Sequence, residues 1–146
     1  MGQEQVQFLT RFIITLNERL SSYSWAELSG PERVVVLVDQ VESEVNNGGF
    51  HQFYFNAAGD RAIETPAALR EIGACQLAAI IDVANALFPG GTPPENRAER
   101  QRVLDEIDPA ISTFRHLDDK FYAYPDDTLK LVYDFVIAHR DQVRGT

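Results

Sequence analysis

Between Glu44 and Asp60 the chain reads EVNNGGFHQFYFNAAGD. Its polar members Asn47, His51, Gln52, Asn56 and Asp60 are the types a small hydrolytic or ligand-binding pocket would use. An imidazole can take a proton, a carboxylate can orient it, and amides can hold a substrate. The same groups have a simpler use, which is to satisfy exposed backbone at two helix ends on either side of Gly48-Gly49, and this is the use expected. Histidines 51, 116 and 139 lack the i, i+4 pairing of a zinc-binding helix, and no phosphate-cradling glycine loop follows a strand. His139, in the last turn of a helix, is explained by the helix C-terminus. Cys75 stands alone in an apolar stretch, where a buried, inert thiol is expected. No metal, no cofactor and no catalytic activity are expected.

The carboxylates offer a different chemistry. Thirteen Lys and Arg against twenty-two Asp and Glu give a formal charge of −9, which would repel a phosphate backbone and favours a basic partner. Residues 1–60 hold eight acids and three bases, and residues 105–134 hold the same numbers, while 61–104 balance at five each. At about 100° per residue, Glu32, Asp39 and Glu42 fall within an arc of roughly 80°, an exposed acidic stripe opposite a face of valines. Toward the C-terminus Asp118, Asp119, Asp127 and Asp134 gather around helix starts, where Asp108 and Asp126 or Asp127 serve as N-terminal caps. The seven candidates for partner contact are therefore Glu32, Asp39, Glu42, Asp118, Asp119, Asp127 and Asp134.

The elements that must position these groups are helices. Leu9, Phe12, Ile13, Leu16 and Leu20 share one face of a helix over about 3–21, and Val34, Leu37, Val38, Val41 and Val45 share one face of a second. Ser29, Pro31 and Glu32 form its start, a capping box with proline in the first turn. The run VVVLV has strand propensity, but polar residues recur opposite it at helical spacing. Asn46-Asn47-Gly48-Gly49 should end this helix and let a short helix carrying Phe50, Phe53 and Tyr54 fold back as the wedge of the core, with Gly59 as a second left-handed stop. A long helix is expected from Thr65 to about Phe88, with Leu69, Ile72, Ile80, Val83 and Leu87 inward. Another should start with a capping box at Thr92, Pro93 and Glu95, and one at Asp108-Pro109 with Ile111, Phe114, Leu117 and Phe121 inward. A last one turns Leu129, Val132, Phe135 and Val136 inward, after Tyr124, which its neighbour Pro125 biases away from helix. The sum is an all-α, single compact domain of six or seven helices over residues 1–146. No apolar run approaches the roughly 20 residues that span a bilayer, and no secretory leader is seen, so a cytoplasmic location is expected.

EVNNGGFHQFYFNAAGD, with the downstream ALREIGA and LDDKFYAYPDDTLKLVYDFV, resembles the bacterial all-α family represented by DNA mimic protein nineteen, over about residues 28–136. The resemblance implies an acidic protein, commonly a dimer, whose carboxylates imitate the phosphates of duplex DNA. Such a protein occupies the DNA-binding face of a transcription regulator or nucleoid protein, without binding nucleic acid or membrane itself. The same surface would also suit an immunity or antitoxin-like protein that plugs a basic toxin.

Overall fold

In the computed structural model, which describes residues 1–144, the long valine-faced helix is the axis on which the others pack. The elements are α1 (Gln3–Ser22), α2 (Gly30–Phe55), α3 (Thr65–Ile72), α4 (Cys75–Ala86), α5 (Arg97–Ile107), α6 (Arg115–Tyr122) and α7 (Thr128–Ala138), with short 3₁₀ turns between them. No strand occurs among the described residues. Ser29 and Glu32 form the reciprocal capping box at the start of α2. Val34 through Val38, Val41 and Val45 are all buried, so packing overrides the strand propensity of the run.

The turn at Asn-Asn-Gly-Gly is a kink within α2. Gly48 and Gly49 leave helical geometry, Gly49 with φ of +73°, and the segment beyond carries Phe50, Phe53 and Tyr54 fully into the core. Tyr54 lies 4.6 Å from Phe88 and 5.3 Å from Phe114 between ring centroids, and Phe50 meets Phe121 edge-on at 5.9 Å. Such pairs contribute about 1 kcal/mol each beyond their buried area. The Tyr54 hydroxyl donates to Asn85 Oδ1 at 2.7 Å, and Asn85 donates onward to the Ala62 carbonyl. Burial pushes the Tyr54 phenol well up.

Several boundaries differ from expectation. The helix expected over 65–88 breaks at Gly73, which closes α3 with φ of +92°. The break resets the helical phase, so Val83 and Leu87 are exposed and Leu77, Ala78, Ile81 and Ala84 point inward instead. Cys75, at the first turn of α4, is exposed and not buried. Asn96, and not Thr92, caps α5 by accepting the Glu99 amide. Helix α6 begins only at Arg115, because Asp108 ends α5 and holds the amides of Ser112 and Thr113 in a turn; Ile111 is consequently exposed. Leu129 also faces outward. Gly59 is no left-handed stop, for its φ is not positive; a Cβ there would lie 2.7 Å from the Phe53 carbonyl and 2.8 Å from Arg100, so close packing excludes a side chain.

Candidate functional site

The polar residues around the Gly-Gly kink do not converge on one pocket; they divide into three structural sets. Glu44 accepts from Gln52 at 2.8 Å and from Asn56 at 2.9 Å, and Asn47 donates to Gln52. This set braces the outside of the bend. His51 stacks on Phe55 and donates from Nδ1 to buried Asp108 at 2.7 Å. Burial alone would raise Asp108, but the Thr113 and Ser112 amides and His51 outweigh it and hold the carboxyl below its ordinary value. Asp60 pairs with Arg100 at 2.8 Å.

Arg100 is the functional group that sequence reasoning missed. Its side chain is fully buried and donates to the carbonyls of Tyr54, Asn56, Pro94 and Glu95 as well as to Asp60. Arg97 and Gln101 reach the Phe55 carbonyl beside it. Three side chains of α5 thus satisfy the open carbonyls at the end of α2, and two of them bring positive charge to the negative end of its dipole. The readable signal was Arg97, Arg100 and Gln101 recurring at helical spacing beside a proline pair.

The acidic candidates also separate. Glu32 is not on an exposed stripe, because α1 and the C-terminal segment cover it. Its carboxylate completes the capping box, pairs with Arg19 at 2.6 Å and accepts the Arg144 amide. Burial would raise it, yet Arg19 and the two amides bring it below its usual value. Asp118 is likewise structural in part. It accepts the Phe50 amide at 2.8 Å, and its carboxylate sits so near Gly49 that a Cβ there would lie 2.7 Å from an oxygen. The kink therefore needs glycine twice over, for its φ and for Asp118. Burial pushes Asp118 up against the pull of the Phe50 amide, and Asp119 and Asp108 add repulsion. Asp119 is exposed beside it, and Tyr122, which reaches the Val45 carbonyl at 2.9 Å, feels both carboxylates. Asp134 is exposed and pairs with Lys130 at 2.6 Å on α7.

Glu42 and Asp127 come together, with Asp39 beside Glu42. A groove of about 410 Å³ between α2 and the start of α7 is lined by Glu42, Asn46, Tyr124, Asp126, Asp127 and Thr128, with Leu129 at its edge and no Lys or Arg in its lining. Asp39 adjoins it and accepts from Asn17 at 3.1 Å. Partial burial pushes both Asp39 and Glu42 up; Asn17 and Thr128 oppose this only in part, and Asp39 repels Glu42. Asp127 caps α7, and Asp126 caps α4 from a distance by accepting the Leu77 amide at 2.9 Å. Both also line the groove.

No helix among the described residues is long and apolar enough to cross a membrane, and no cluster of His, Cys, Asp and Glu able to hold a metal occurs among them. The family model described as DMP19-like protein matches residues 26–139, which is most of the chain. No curated protein and no solved structure matches it.

Proposed function

The chain belongs to the DMP19-like protein family, and from that premise we propose that it acts by occupancy and not by catalysis. It is a DNA-mimic-like protein that covers the DNA-binding surface of a basic partner such as a transcription regulator or nucleoid protein. The observation that carries this reading is the groove at Glu42. Glu42, Asp126 and Asp127 line it without a cation, Asp39 stands beside Glu42, and Asp39 and Glu42 are held above their ordinary pKa by desolvation. A fold gains nothing from uncompensated, half-buried carboxylates. A partner's Lys or Arg would supply the missing charge, steer the encounter and compete with phosphates for the same cations. Asp119, exposed on α6, extends the negative field.

The test is recovery of partners from host lysate on the immobilised protein at low and raised salt, with duplex DNA as competitor. DNA-binding proteins that duplex DNA displaces are the expected result. Asp39→Lys with Glu42→Lys should abolish their capture while the circular dichroism spectrum stays helical. Partner cations would also draw the raised carboxylates down, so complex formation should release protons and strengthen as pH rises through their folded range. Capture undiminished in the double variant would remove this groove as the contact surface.

A further inference from the structure

A second group of carboxylates lies away from the Glu42 groove. Two hollows, of about 460 and 800 Å³, meet at Glu95. The first is walled by Trp25, Asp60, Arg61 and Glu64. The second has Pro93 and Val103 as a buried apolar floor, Ile63 and Pro89 as exposed apolar walls, and Glu99 and Glu106 on α5. The groove's own cations are engaged. Arg61 pairs with Glu64 at 3.4 Å and Arg102 with Glu106 at 2.8 Å. Glu95 and Glu99 hold no ion pair among the described residues, and both are exposed. The Arg61 guanidinium also lies 4.0 Å from the centroid of the Trp25 ring, so this aromatic face already holds a cation of the same chain.

We propose that the two hollows form one docking groove, separate from the surface at Glu42, for an extended segment of a partner protein in which arginine or lysine alternates with apolar residues. Charge decides the occupant. Asp60, Glu64 and Glu106 are paired with Arg100, Arg61 and Arg102, so the unbalanced charge of the lining is that of Glu95 and Glu99, which repels phosphate and anionic lipid and attracts basic side chains. The exposed apolar walls at Ile63 and Pro89 give intervening residues surface to bury, and an extended strand sends alternate side chains to opposite sides. One set would meet Ile63 and Pro89, and the other the free carboxylates of Glu95 and Glu99. Trp25, whose ring already carries Arg61 and Arg33, closes the far end of the groove.

Trp25 is the only tryptophan of the chain, so its fluorescence reports on the groove directly. The probe is a short synthetic peptide in which arginine and leucine alternate, with alternating glutamate and leucine as its counterpart. The arginine peptide should change Trp25 emission saturably, lose affinity with added salt, and have no effect in its glutamate form. Glu95→Lys with Glu99→Lys should weaken it by roughly tenfold or more, since like charge then replaces complementary charge. Glu95→Gln with Glu99→Gln gives a smaller loss in the same direction should the lysine variant fold poorly. Asp39→Lys with Glu42→Lys should leave the peptide bound as before, which separates this groove from the proposed DNA-mimic surface. No saturable signal, equal binding of the glutamate peptide, or equal loss in both lysine double variants would overturn the proposal.

Discussion

At the start of α2 the Glu32 carboxylate is enclosed by Arg19 and by the amides of Ser29 and Arg144. About two turns further along the same stripe, Asp39 has only Asn17 at hydrogen-bond distance among the described residues, and one turn beyond that Glu42 faces a groove without a lining cation. One carboxyl is held below its ordinary value and two above it, although all three share a helix face. The difference lies in what neighbouring elements bring: α1 and the C-terminal segment carry donors to Glu32, whereas α7 brings more acid to Glu42. Glu32 therefore belongs to the fold, and Asp39 with Glu42 are available to a partner.

The widest break in this comparison comes from Glu32→Ala. It removes the side-chain half of the capping box, so the Ser29 amide loses its acceptor, and leaves Arg19 without its partner; the loss should be about 3 kcal/mol in urea denaturation. A loss below about 1 kcal/mol would place Glu32 with the surface acids. Asp118 stands between the two classes, and Asp118→Ala strips the Phe50 amide of its acceptor at the kink, for about 1–2 kcal/mol. The smallest effect has the opposite sign. Asp39→Asn with Glu42→Gln should stabilise the protein at neutral pH by about 0.5 kcal/mol, after allowance for solvent screening.

That gain has a defined pH course. Raised carboxyls favour the fold below the ordinary carboxylate range and cease to do so as pH rises through their folded pKa. The neutralised double variant should thus exceed the parent protein above that range and equal it below. Glu32 and Asp108, held low, contribute above their unfolded pKa and lose that contribution as pH falls through their folded values. Thermal unfolding from acid to neutral pH distinguishes the two behaviours.

Local rules made much of the fold legible. Valine spacing, the Ser29 capping box, the Asn-Asn-Gly-Gly bend and the aspartate at the start of α7 are all short-range features, and all appear where expected. Gly73 was passed over because the apolar period continues across it, even though its φ of +92° ends the helix. Exposure was the weaker inference. A helical wheel says which side of α2 is polar, but not that α1 and the C-terminal segment lie over Glu32, nor that the carbonyls ending α2 draw Arg100 inside. Of the site, the acidic character was legible and the grouping of Glu42 with Asp126 and Asp127 was not, because it depends on how α2 meets α7.

The bond from the Phe50 amide to Asp118 spans 68 positions of chain. Glu44, Gln52 and Asn56 brace the bend locally, but its Phe50 amide takes an acceptor from outside the segment. That acceptor is reached only by closing a loop of 68 positions, a slower entropic step than winding a helix turn. The chain can therefore hold its valine face early and its final angle late, so the signature glycines and the distant aspartate are joined in time as well as in space. Removing the Asp118 contact should accordingly be felt mainly as faster unfolding, with the rate of folding little changed.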